Sequence, residues 1–234
     1  MKKTSSELKC MAKGLLAGHY GLLIGAALLY GGGSLVITMI LELVFQADHS
    51  FNILYFICSL IVSLLSTIFT IGYEKMILEI SRGREARLGD LLYGFSHQPD
   101  RIILLTILLS LVSLACMLPG SLLLAAGAIM KLIPLTLVGI LALLAGTVFL
   151  FILSFGYSMV FLLYLDNPEK GVIQLMRESR TLMKGNKGRY FYLQISFIGL
   201  MLLSILTCFI GLFWLVPYME MTSVLFYRNL LNEV

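Results

Sequence analysis

Few side chains in this sequence could do chemistry, and the most suggestive is Glu220, set in the run Trp214-Leu-Val-Pro217-Tyr218-Met-Glu220. A helix entering near Phe213 and leaving near Arg228 would carry that carboxylate about 10 Å into a bilayer. An ionisable group at that depth is a functional candidate by default. Glu220 reads as a proton- or cation-binding carboxylate or the counter-charge of a substrate. Equally, it reads as a protonated, hydrogen-bonded glutamate fixing one helix to another. Pro217 breaks a helical hydrogen bond and could open a polar notch lined by Trp214 and Tyr218. A second group, Glu74, Lys75, Glu79 and Arg82, reads as an ion-pair cluster, with Lys75 pairing Glu79 four residues on and Glu79 reaching Arg82. Arg177, Arg180, Lys184, Lys187 and Arg189 form the densest run of cations, the type that meets anionic lipid headgroups. His19 and His97 occupy corners and could meet, but no third ligand is evident and His49 falls on the opposite face, so no metal site is expected. The sequence has no HExxH, GxSxG or Walker A pattern. No catalytic residue and no cofactor are assigned. Cys10, Cys58, Cys116 and Cys208 lack CxxC spacing and read as reduced packing residues.

These groups must be positioned by a membrane scaffold. Hydrophobic residues make up 59% and charged residues 13% of the 234 positions, and the mean hydropathy is +0.95. A soluble domain carries about 25% charged residues, so a water-soluble fold, a disulfide scaffold and nucleic-acid binding are excluded as classes. The apolar runs predict six spans at 19–45, 53–80, 102–130, 134–165, 190–212 and 213–231. Pro119-Gly120 could end the third near Leu118, leaving 121–133 as a re-entrant or interfacial piece, and Lys131 to Pro134 marks a turn. The first sixteen residues are charged and amphipathic, unlike a cleavable signal.

Fifteen of the seventeen Lys and Arg fall in the N-terminal stretch, the second-to-third and fourth-to-fifth connections, and the C-terminal end. By the positive-inside rule both termini are cytoplasmic. Of the other two, Lys75 sits at the same-side end of its helix and Lys131 faces across.

The chain also reads as three pseudo-repeated units of one membrane domain, about 5–80, 86–165 and 171–231. Each has a cytoplasmic interfacial amphipathic helix, a corner, and a helical hairpin. The corners are Gly14 to Tyr20, Gly94 to Arg101 and Gly185 to Tyr190. The return helices carry Gly72-Tyr73, Gly156-Tyr157 and Pro217-Tyr218. In 169–184, Val172, Met176, Ser179 and Met183 recur on one face while Arg177, Arg180 and Lys184 take another. Thr4 to Glu7 fits a capping box. Gly14, Gly18, Gly21 and Gly25 form small-xxx-small patterns suited to helix packing, within one chain or between two copies.

From Ser179 onward the residues resemble a known family. Ser179 to Gly185, Lys187, Arg189, Phe191, Ser196 to Gly199, Gly211, Trp214, Pro217-Tyr218 and Phe226-Tyr227 carry the resemblance. Ser6 to Lys9, Ala12-Lys13, Leu16 and Gly18 fit its opening, and Leu118-Pro119-Gly120 its middle. It is an uncharacterised bacterial integral-membrane family, catalogued as domain of unknown function 975 and found mostly in Gram-positive bacteria. Leu200 stands where that family usually has tryptophan, and 121–150 holds extra apolar sequence. There is also a distant similarity to the membrane domain preceding some glycerophosphodiester phosphodiesterases. The resemblance implies a compact helical domain of the bacterial cytoplasmic membrane and supplies no activity.

An intramembrane enzyme would lack a recognisable nucleophile, metal or acid–base pair, and beside it stand two further functional readings. One is a non-catalytic membrane scaffold or accessory protein linked to anionic envelope lipids or a partner complex. The other is a transporter, permease subunit or lipid-handling protein with a polar cavity near Glu220 and Pro217. A protein partner or homo-oligomer is compatible with both.

Overall fold

A computed structural model describes residues 3–45 and 53–234, so Lys2 and His49 lie outside the described residues. Among the described residues every regular element is helical. Helix α1 (Ser5–Leu16) begins where the sequence signals it: Thr4 Oγ1 accepts from the Glu7 amide, and Glu7 Oε2 accepts from the Thr4 amide at 2.6 Å. Gly18, at φ +88°, turns the chain into α2 (Tyr20–Ala27). A π-helical turn at Leu28–Gly32 joins α2 to α3 (Gly33–Phe45), and α4 (Ile53–Ser81) follows.

A 3₁₀ turn at Leu88–Leu92 and the short α5 (Tyr93–Ser96) lead into α6 (Pro99–Ile129). Helix α7 (Ile133–Tyr157) returns, continued by α8 (Val160–Asp166). Helix α9 (Val172–Leu182) precedes α10 (Lys187–Ile195), α11 (Ile198–Leu206) and α12 (Leu212–Leu230).

Among the described residues five stretches are long and apolar enough to cross a membrane: Tyr20–Phe45, Ile53–Ser81, Pro99–Ile129, Ile133–Asp166 and Lys187–Leu206. The expected sixth span corresponds to α12, whose 19 residues are less apolar and whose inner face is among the most buried in the molecule. The alternative of a break near Leu118 is absent. Helix α6 runs through Pro119-Gly120 to Ile129, and 121–129 belongs to it rather than to a re-entrant piece. The reason lies across the hairpin. A Cβ on Gly120, Gly127, Gly139 or Gly146 would stand 2.5–2.6 Å from backbone atoms of the facing helix. Backbone-to-backbone contact of that kind holds α6 against α7 despite the proline.

The core sits toward one end. Leu8, Ala12 and Leu16 of α1, Ile71, Met76 and Ile77 of α4, Met159, Val160 and Tyr164 around α8, Leu193 of α10 and Met221, Leu225 and Tyr227 of α12 are buried there. Away from it, α3, the first half of α4 and the middles of α6 and α7 expose leucine, isoleucine and phenylalanine, Leu43 at 78%. That surface is stable only in hydrocarbon.

Both described ends of the chain reach the same end of the bundle. The Lys3 amide donates to Asn229 Oδ1 at 3.2 Å, and Arg228 donates to the carbonyl of Ser81, the last residue of α4.

Candidate functional site

The basic run of the sequence becomes a built cavity. On α9, Val172, Leu175 and Ser179 face inward, and Ser179 Oγ donates to the Gly156 carbonyl at 2.9 Å, pinning α9 to the end of α7. Arg177 and Arg180 are exposed on α9 and Lys184 just past its end, and Lys187 joins them from the first turn of α10. These four cations line one cavity of about 680 Å³, floored by Leu108, Tyr157, Ile173 and Met176, with no carboxylate in its wall. The Arg180 guanidinium stands 5.8 Å from the Tyr157 ring, and Lys187 Nζ donates to the Ile152 carbonyl at 3.3 Å.

The acid on this helix is drawn away. Glu178 accepts from Lys170 Nζ at 2.8 Å and from Gln174 at 2.9 Å, and the Lys170 hydrogen bond is the main cause holding its carboxyl below the usual glutamate range. Arg177 and Lys184 also border a second cavity beside Asp166 and Glu178, carboxylates already bonded to Arg82 and Lys170. Among the described residues no carboxylate lies within ion-pair distance of Arg177, Arg180, Lys184 or Lys187. An apolar floor under four unpaired cations suits an anionic headgroup with its hydrocarbon attached.

Arg189 departs from that set. It turns inward, donates to the Lys3 carbonyl at 2.8 Å and to Asn186 and Asn229, and lies over the Phe226 ring. Proximity in sequence misassigned it: it sits two residues past Lys187 on a helix, about 200° around the axis.

The expected cluster of Glu74, Lys75, Glu79 and Arg82 does not assemble. Lys75 Nζ sits 3.4 Å from the centre of the Tyr93 ring. Glu79 pairs with Arg84 at 3.2 Å, and Glu74 points into the bundle. Arg82 instead grips Asp166 with both nitrogens, at 2.6 and 2.9 Å, and reaches Glu233 at 3.0 Å. Tyr227 Oη donates to Asp166 at 2.7 Å, and Arg228 Nε donates to Glu233 at 3.0 Å. This network ties α4, α8 and α12 together. Sequence reasoning missed Asp166, Tyr227 and Glu233, although Asp166 is the first charge after the long apolar run of α7 and α8.

Glu220, Tyr218, Trp214 and Pro217 separate. Helix α12 is continuous through Pro217. Trp214 is exposed, and Tyr218 packs edge-on against Phe197 with Lys13 over its ring. Both line a small cavity with Tyr20 and Leu200 whose wall includes neither Glu220 nor Pro217. Two residues on, Glu220 faces another way, toward α4. There it interacts electrostatically with Glu74, Tyr73 and Tyr30.

The sequence matches the family described as Protein of unknown function (DUF975) over residues 1–233. The chain belongs to the DUF975 family. No curated protein and no solved structure matches it. In this DUF975 protein the small-residue pattern of the first unit does not mediate packing within the chain, because a Cβ on Gly14, Gly18, Gly21 or Gly25 would meet nothing within 4 Å. His19 Nδ1 lies 3.1 Å from the Leu15 carbonyl, while His97 stacks on Tyr93 at 4.1 Å. No group of three metal-ligating side chains occurs among the described residues of the DUF975 chain, and its four cysteines are free.

Proposed function

We propose that this DUF975 protein is a non-catalytic membrane scaffold or accessory protein that binds anionic phospholipid at the cytoplasmic face of the bacterial cytoplasmic membrane. The observation carrying this reading is the cavity in which Arg177, Arg180, Lys184 and Lys187 surround an apolar floor. We place six crossings in three hairpins, each prefaced by an interfacial helix, with both termini cytoplasmic. The meeting of both chain ends at the basic end of the bundle supports that arrangement, as does the excess of Lys and Arg in the connections that end there. The alternative, a transporter or lipid-handling protein, no longer draws on a cavity shared by Glu220 and Pro217.

The test is lipid retention. The protein is purified into nanodiscs from a mixture of zwitterionic and anionic phospholipid, and bound lipid is counted by native mass spectrometry. The wild type is expected to retain anionic lipid selectively. Changing each of the four cations singly to glutamine should weaken retention about fivefold, the equivalent of roughly 1 kcal/mol per surface cation. Arg84→Gln, on the connection after α4, should leave it unchanged. Equal retention by the wild type and the fourfold variant would overturn the reading.

A further inference from the structure

We infer that Glu74 and Glu220 form a binding site inside the bundle for one small monovalent cation, a proton or Na⁺. The inference shares no residue with the lipid cavity and does not rest on it.

Helices α2, α4 and α12 pack against one another at this level. Glu74 on α4 and Glu220 on α12 are both partly enclosed, and Glu220 is the charged neighbour that acts on Glu74. The two carboxylates also act together on Tyr30, from the π-helical turn after α2, and on Tyr190 of α10. Tyr73, 2% exposed, lies in the field of Glu220 with its ring 5.5 Å from that of Tyr30.

Two oxygens here have no hydrogen-bond partner: Glu74 Oε2 and the Tyr73 hydroxyl, both buried. Nearby, Tyr190 and Gln194 both reach Ser223 Oγ, at 3.4 and 3.2 Å. The cations on the surrounding elements make their contacts elsewhere, Lys3 at Met11, Lys187 at the Ile152 carbonyl and Arg228 at Ser81 and Glu233. Lys75 lies on Tyr93, and Arg82 holds Asp166 and Glu233. Lys9 donates to the Ser196 carbonyl and Lys13 lies over Tyr218. Arg189 holds Lys3 and Asn229.

Two enclosed, neighbouring carboxylates, neither in an ion pair among the described residues, are strongly disfavoured in a low-dielectric interior unless a positive charge joins them. A proton shared by the pair supplies it, or a Na⁺ held by the carboxylate oxygens and the Tyr73 hydroxyl. Either takes the pair from two negative charges to one. Among the described residues no third His, Cys, Asp or Glu completes the set that a divalent ion would need.

The full chain in nanodiscs of zwitterionic lipid is treated with a membrane-soluble carbodiimide, which reacts with protonated carboxyls, and modified peptides are read by mass spectrometry. Labelling of Glu74 or Glu220 is expected in Na⁺-free buffer. Labelling that falls by up to about tenfold per pH unit as pH rises, indifferent to NaCl, identifies a proton. Suppression by NaCl but not by N-methylglucamine chloride identifies Na⁺. No labelling of either glutamate at any pH in Na⁺-free buffer overturns the inference. Thermal unfolding gives a second arm: the wild-type midpoint should shift with the identified cation, and Glu74→Gln and Glu220→Gln should each lose that shift. A shift retained in both variants also overturns it. If a variant fails to fold, wild-type labelling decides alone.

Discussion

Asp166 shows how much one side chain does here. It ends a helix whose preceding residues face lipid or core, and it receives two nitrogens of Arg82 and the hydroxyl of Tyr227. Its side chain is 15% exposed and that of Arg82 20%, so water screens the pair only in part. Asp166→Asn keeps the shape and removes the charge, leaving Arg82 with Glu233 alone. The expected loss is about 1–3 kcal/mol, read as a lower unfolding temperature in nanodiscs. An unchanged midpoint would mean that Glu233 alone is enough to hold this end closed. At this scale the sequence indicated residue types but not partners. Arg82 was expected to meet Glu79, three residues away, and meets a carboxylate 84 positions on instead.

Among the helices, glycine separates two kinds of contact. Gly139 lies opposite Leu124, where a Cβ would stand 2.5 Å from the Leu124 amide nitrogen. Gly139→Ala must therefore push α7 off α6, at a cost of about 1–3 kcal/mol. Gly25 in α2 has open space at the same position, so Gly25→Ala should leave stability unchanged or raise it by up to about 1 kcal/mol through helix propensity. Thermal unfolding of the two variants checks both signs. Equal effects would show that the α6–α7 contact relaxes without cost. Within the chain the close approach falls at Gly120, Gly127, Gly139 and Gly146 rather than at the regularly spaced Gly14 to Gly25. Spacing places residues on a face, but only the facing helix decides which face is closely packed.

For the molecule as a whole, the polar and buried groups gather at one end and the bare apolar surface at the other. The Lys131 turn, between α6 and α7, should then lie outside if the two chain ends lie inside. In a cysteine-free background, a membrane-impermeant maleimide should label Lys131→Cys on intact cells. It should label a cysteine placed at Glu233 only after the membrane is opened. The reverse pattern, or labelling of both positions on intact cells, would discard the proposed orientation.

Composition alone determined that this chain lives in a membrane, because no soluble core of 234 residues could enclose so much apolar surface. Hydropathy placed the long helices to within a few residues, since helix length must match bilayer thickness, and the capping box placed the start of α1. The placing of Arg177 and Arg180 on one side of α9 was legible from helical spacing, whereas Lys184 lies past the end of that helix and Lys187 joins from α10. Only the tertiary structure decided that Arg189 turns inward, that Glu220 parts from Tyr218 and Trp214, and that Glu74 of α4 comes within electrostatic range of Glu220 on α12. Each of those outcomes depends on how helices far apart in sequence rotate against one another, and local spacing carries no record of that rotation.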